Sequence, residues 1–364
     1  MKDSLMMLPK PSKERGLSLV ELMVALALGG FLVLGVVNVF LTTKESSGVE
    51  AALARVQENG RFAMDLLAED IRQTQYSGCR SVNTRPVSLA ARMDVQGARG
   101  YRRSGGSWAT ALDPNDVTLD ELALSGLQDD IRDDTDVLNL HLAERIGSDL
   151  LTADLTPTST DIVLSANPDC AIGDQDYVML ANCLTAHIVQ IGLGTACGTT
   201  LDMTAGDNRP LSIEPGYLYN STESRTEVLK FESVIWYVAD TGRNRNGMDV
   251  FALYRKVFDQ APEEMVEGVE FMQLQFGVRE GSVASPSTRF IDAGSAGIEW
   301  DDVVSVRISL MVQNYDLVRE DDDSRSYVMN DPNAPLDDSV HGGSRVLRQV
   351  FTRTLALRNT EFDA

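Results

Sequence analysis

Residues 13–41, KERGLSLVELMVALALGGFLVLGVVNVFL, decide how the rest of the chain is read. From Leu17 to Leu41 there are 25 residues with one charged side chain, Glu21. A helix needs about 20 apolar residues to cross a bilayer, so this run is long enough to be an anchor. A secretory signal peptide has a shorter apolar stretch, followed by a small-residue cleavage site. Ahead of the run, Lys2, Lys10, Lys13 and Arg15 stand against Asp3 and Glu14, a local net charge of +2 in a chain whose total is −22. Basic residues before an apolar span hold that end in the cytoplasm, which places the acidic bulk on the far side. Glu21 is the exception in the span, because a carboxylate in the bilayer is costly without a polar partner. It either snorkels at the interface beside Arg15 or meets a partner from another chain.

The stretch Lys13-Glu14-Arg15-Gly16-Leu17-Ser18-Leu19-Val20-Glu21-Leu22 resembles the class III signal of type IV prepilins and pseudopilins. The resemblance implies cleavage by a prepilin peptidase after Gly16, between Gly16 and Leu17, and N-methylation of the new amine at Leu17. It implies that Glu21 is retained; an ion pair between this carboxylate and the new amine of a neighbouring subunit would then set the register of the incoming subunit. The chain departs from the commonest pattern twice. Leu17 stands where phenylalanine is usual, and Asn38 stands where many major pilins have a proline that opens the helix. Gly29, Gly30 and Gly35 are the flexible residues available instead.

Beyond the span, Thr42 to Tyr76 is charged but keeps a helical period through Val49, Leu53, Val56, Phe62, Leu66, Leu67 and Ile71. No proline interrupts Leu17 to Tyr76, so one long helix is expected, with a break at Ser46-Ser47-Gly48 as the alternative. After Cys79 the period changes to two: Leu138, Leu140, Leu142; Met272, Leu274, Phe276, Val278; Val304, Val306, Ile308, Leu310, Val312. These are half-buried antiparallel strands. Further strands are expected near 160–165, 176–191, 226–239, 249–257 and 346–358, with loops at 80–135, 279–300 and 316–340. The fold class is α+β: a long N-terminal helix, transmembrane in its first half and amphipathic in its second, packed on an antiparallel sheet head with long loops. The domains are a leader (1–16), a transmembrane or filament-core helix (17–41), its amphipathic continuation (42–76) and a β-rich head (77–364).

The segments GRFAMDLLAEDIRQTQYSGC, GDQDYVMLANCLTAHIVQIG, EEMVEGVEFMQLQFGV, DDVVSVRISLMVQN and RVLRQVFTRTLALRN are similar, in that order, to PilW-type minor pilins. That resemblance implies a single-pass protein of the bacterial inner membrane with a periplasmic head, destined for the pilus tip at the cell surface. The implied role is initiation of pilus assembly, in support of motility and adhesion. Its implied partners are the prepilin peptidase, other minor pilins, the major pilin and a tip adhesin. A minor pseudopilin of a type II secretion system is the alternative, and an anchored periplasmic enzyme the third class.

Composition narrows the rest. A pI near 4.5 argues against nucleic acid, since neutralising phosphates needs an excess of Lys and Arg. Four cysteines, Cys79, Cys170, Cys183 and Cys197, allow three pairings in an oxidising compartment. Cys183–Cys197 would close a hairpin-sized loop, and Cys79–Cys170 would tie the helix end to the sheet. The segment 240–249 places Asp240, Asn244, Asn246 and Asp249 at near-alternate positions, as some calcium loops do. A hairpin turn accounts for it equally well, and no cofactor is expected. The run from Glu320 to Asp323 reads as a solvated loop. HExxH, GxSxG, phosphate-loop and dinucleotide patterns are all missing, so no catalytic set is expected.

Overall fold

The computed structural model describes residues 18–76, 78, 87–88, 97–108, 130–147, 151–156, 158–182, 185–194, 197–204, 219, 226–258, 260–282, 285–295, 297–330, 335–336 and 338–358. Two compact units are present, Met1–Ala51 and Ala52–Ala364. One helix, α1 (Leu19–Gln73), contains Ser46, Ser47 and Gly48 without interruption. The single-helix expectation therefore holds.

The strands, in chain order, are β1 (Val87–Ser88), β2 (Ala98–Ser104), β3 (Ser107–Trp108), β4 (Asp136–Gly147), β5 (Asp161–Val163), β6 (Tyr177–Ala181), β7 (Ala186–Gln190) and β8 (Thr200–Asp202). They continue as β9 (Glu227–Arg245), β10 (Met248–Val257), β11 (Glu263–Glu267), β12 (Val269–Ser282), β13 (Ser285–Asp292), β14 (Val303–Gln313) and β15 (Arg348–Ala356), with a one-turn helix α2 (Asp338–His341) before the last. A nine-stranded sheet runs β1-β7-β6-β9-β4-β2-β3, with β10 also on β9 and β11 on β10. The second sheet is β13-β12-β14-β15, and β5 with β8 form a separate ribbon. Among the described residues all strand pairings are antiparallel except β1 with β7.

Two expected loops contain strands. Residues 80–135 hold β2 with the short β1 and β3, and residues 279–300 hold the end of β12 and β13. The sequence hid β2 and β13 for one reason: Arg99, Arg102 and Arg103 in β2, and Ser285, Ser287, Thr288 and Arg289 in β13, break the apolar alternation. The pairing is instead carried by main-chain bonds to β4 and β12.

The main core lies between the second half of α1 and both large sheets. Val56, Ala63, Met64, Leu67, Ala68 and Ile71 meet Leu138, Leu140, Val234 and Trp236 of one sheet and Met272, Leu274, Val306 and Ile308 of the other. The buried stripe differs from the expected one. Leu53 and Phe62 are 40% and 53% exposed, while Ala52, Gly60, Ala63 and Ala68 are buried. Small residues occupy the inner face because the head comes close there. A Cβ on Gly60 would lie 2.2 Å from a ring carbon of Phe351. Gly60→Val is accordingly expected to destabilise the protein by about 1–3 kcal/mol through overpacking. Thermal melts of the detergent-solubilised chain will test this, and the loss should shrink in a Phe351→Leu background.

Polar bonds fix the register of the helix on the head. Asp70, buried on α1, accepts from the indole Nε1 of Trp236 and the Nε of Arg255, both at 2.8 Å. At the C-terminal end Thr74 Oγ1 donates to the carbonyls of Gly97 and His141 at 2.8 and 2.9 Å. Arg55 reaches Asp316, and Asp65 accepts from Arg353, each at 3.0 Å.

Candidate functional site

The first half of α1 presents Leu22, Val24, Leu28, Phe31, Leu32, Val36, Val39 and Phe40, all exposed. It is long and apolar enough to cross a membrane, and none of its most apolar window is buried within the chain. A surface this apolar needs lipid or other helices around it. Gly16 and Leu17, the expected cleavage and methylation residues, lie outside the described residues.

Glu21 is described, and its carboxylate has a local partner. The Ser18 main-chain N–H donates to Glu21 Oε2 at 3.0 Å, and the Glu21 N–H donates to Ser18 Oγ at 3.2 Å. This reciprocal pair is a capping box: it satisfies two amide groups at the helix start and sets a carboxylate at the positive end of the dipole. The Ser-x-x-Glu spacing before an apolar run was a legible sign of it, which the sequence reading passed over. Glu21 is therefore held by its own chain at the place where the resemblance puts an intersubunit charge.

The four cysteines are not joined as expected. Cys170 is bonded to Cys197, so neither Cys183–Cys197 nor Cys79–Cys170 forms; Cys79 and Cys183 themselves lie outside the described residues. The hairpin-loop argument failed because Cys197 is carried beside β8 instead. There Asn167 donates through Nδ2 to the carbonyls of Ile172 and Gly198 at 2.8 and 3.2 Å, drawing the two segments together. Ile172 and Leu201, beside the two cysteines in sequence, belong to a small second core with Leu151, Leu155, Ile162, Leu164, Leu180 and Val189. Digestion without reductant should give a fragment with Cys170 linked to one with Cys197. The two cysteines lie 27 positions apart, so by the chain-entropy account Cys170→Ser should cost about 3–4 kcal/mol, read as a fall in melting temperature.

The segment 240–249 is the turn of the β9–β10 hairpin. Asn246 and Gly247 have φ of 53° and 82°, with Arg245 opposite Met248, the geometry of a tight two-residue turn. The oxygens proposed for calcium have other work. Asp240 Oδ1 accepts the Gly242 N–H at 2.9 Å, Asn244 Oδ1 accepts that of Gly247 at 3.1 Å, and Asp249 Oδ1 faces the Asn244 amide at 3.4 Å. Asn246 donates its amide to the Tyr315 carbonyl at 2.7 Å. Among the described residues no group of three or more His, Cys, Asp or Glu is placed to hold a metal.

The acidic run is solvated only in part. Glu320, Asp321 and Asp322 are exposed, but Asp323 is fully buried. Its carboxylate accepts from Arg325 Nε at 2.8 Å, Arg319 Nη1 at 3.2 Å and the Tyr327 hydroxyl at 2.6 Å. Arg348, 1% exposed along its side chain, bridges Asp323 and Glu270 and donates to the His341 carbonyl at 2.8 Å. Arg132 joins Glu270 from between the rings of Phe251 and Phe271, each 3.9 Å away. Nothing in the sequence marked this cluster, because its members are 132, 270, 323 and 348 and meet only through the fold. It ties Arg319, Asp323, Arg325 and His341 to Glu270 of β12 and Arg348 of β15 in the second sheet.

Two family models match the chain. Residues 235–359 match Type IV Pilus-assembly protein W, and residues 11–37 match the prokaryotic N-terminal methylation motif. The first match runs from the middle of β9 to the end of β15 and takes in the whole second sheet. The second takes in the expected cleavage site, Glu21 and most of the apolar half of α1. No curated protein and no solved structure matches the chain.

Proposed function

We propose that the chain is a minor pilin of a type IV pilus, of the PilW family, and that it primes pilus assembly and remains in the tip complex. The observation that carries this reading is the joint presence of the methylation motif at residues 11–37 and the PilW match at residues 235–359. Prepilin peptidase cuts after Gly16, the amine of Leu17 is methylated, and Glu21 sets the register. The head lies in the periplasm before assembly, and the other minor pilins, the major pilin and a tip adhesin are its partners.

The physical task is nucleation. The first subunits to leave the bilayer lack neighbours that would cover their apolar helices, so a preassembled set of minor subunits lowers that barrier. The unit Ala52–Ala364 is a bulky head, which suits a position where it is not repeated along a shaft. Deletion of the gene should abolish major pilin in the sheared surface fraction, and complementation should restore it. Normal pili with failed exoprotein secretion would move the chain to the secretion pseudopilins instead. Gold label scattered along whole filaments would remove the tip assignment.

A further inference from the structure

β15 closes one end of the second sheet and, among the described residues, has a strand partner, β14, on one side only. Nine residues pair in unbroken register, from Arg348 opposite Gln313 to Ala356 opposite Ser305. Such an edge offers a row of unpaired main-chain donors and acceptors, which proteins ordinarily blunt. The other terminal strands of the two large sheets are blunted: β1 and β3 have two residues each, β11 has five with Glu263, Glu264 and Glu267, and β13 contains Pro286, which has no N–H. β15 has neither proline nor bulge. Its exposed threonines, Thr352 and Thr354, keep the edge wettable while favouring an extended chain.

Charge says what fits there. Residues 344–358 contain Arg345, Arg348, Arg353 and Arg358 and no acid, in a chain with 54 Asp and Glu against 32 Lys and Arg. Arg348 turns inward to Glu270, and Arg353 shares Asp65. Arg345 and Arg358 are exposed and make no ion pair among the described residues. A second copy is a poor occupant, since two such edges would bring the exposed Arg345 and Arg358 of both copies to one seam, with no acid in residues 344–358 to answer them.

We propose that the outer edge of β15 pairs with an extended, acid-bearing strand from the head of a different pilus subunit. Main-chain bonds supply the affinity and the arginine flanks select the partner. The inference rests on the pilus reading only for where that partner is found.

The test places a photo-crosslinking residue at Thr354 or Ala356 in the full chain in piliated cells, with a third probe at Val37 in the anchor. Irradiation should join both β15 probes to another pilus subunit, through a peptide rich in Asp or Glu. The pair Arg345→Glu and Arg358→Glu should cut that yield about ten-fold, with melting temperature and membrane level unchanged. Silence at both β15 probes, adducts between two copies of this chain, or a yield indifferent to charge reversal overturns the inference. The Val37 probe separates the two failures: an adduct there with pilus subunits keeps the pilus reading, and none removes it as well.

Discussion

A Glu21→Ala chain will be processed after Gly16 and will reach the membrane at its normal level, but its share in sheared pili will fall by about ten-fold or more. The expectation combines two roles of one carboxylate. In the isolated chain Glu21 closes the capping box with Ser18, and losing a cap costs about 1 kcal/mol. In an assembly of helices the same group would answer the amine created at Leu17, an ion pair in apolar surroundings that neither charge can replace alone. Glu21→Gln separates the roles, because its amide oxygen still accepts the Ser18 N–H while the charge is gone. If the charge governs assembly, Gln and Ala variants will be excluded alike. If only the cap matters, Gln will enter pili as the unaltered chain does. Immunoblots of sheared and membrane fractions, normalised to each other, read both outcomes. Either variant at full level in pili would end the register hypothesis.

Arg348→Met should cost about 3–5 kcal/mol of head stability, among the largest effects of a single side chain here. One guanidinium, itself buried, answers two carboxylates that are 0% and 3% exposed along their side chains. Methionine fills much of the volume and leaves Glu270 and Asp323 short of a partner, the arrangement in which a broken buried pair costs most. Chemical denaturation of the detergent-solubilised chain measures it. A loss below about 1 kcal/mol would show that Arg132, Arg319 and Arg325 suffice without Arg348.

The same cluster predicts an acid limit. Burial pushes the Asp323 carboxyl up, but hydrogen bonds from Arg325 and Tyr327 and the nearby arginine charges outweigh it and hold its pKa well below the ordinary range. A carboxyl depressed in the folded state adds stability that is present above its unfolded pKa of about 4 and is lost as pH falls toward the folded value. Melting temperature should therefore fall below about pH 4. Asp323→Asn should lower it at neutral pH and flatten that acid slope; an unchanged slope would assign the effect to other carboxyls.

Legibility followed the range of the interactions. The anchor, the long helix and strands β4, β9, β10, β12, β14 and β15 were readable because their periods of 3.6 or 2 are written in consecutive apolar residues. The helix face was misjudged where large residues, Leu53 and Phe62, counted for more than small ones. Close packing at Gly60 selects against size, and apolar periodicity gives a glycine no weight. β2 and β13 went unseen because arginines and hydroxyl residues fill them. The cysteine pairing failed because spacing along the chain does not report which loops the Asn167 bonds draw together. The Asp323–Arg348–Glu270 cluster joins residues far apart in sequence, so an acidic run looked like solvent-facing loop throughout.

Asp70 sits near the end of the last 22 residues of α1, those that belong to the head unit. Tension applied along the axis of this segment, about 33 Å long, would be carried into the head by its contacts. Force along the axis would shear the Asp70–Trp236 and Asp70–Arg255 bonds, the Gly60–Phe351 contact and the aliphatic seam together instead of opening them one at a time. Joints loaded in parallel share tension, so the helix–head seam is suited to mechanical work beyond what its equilibrium stability conveys.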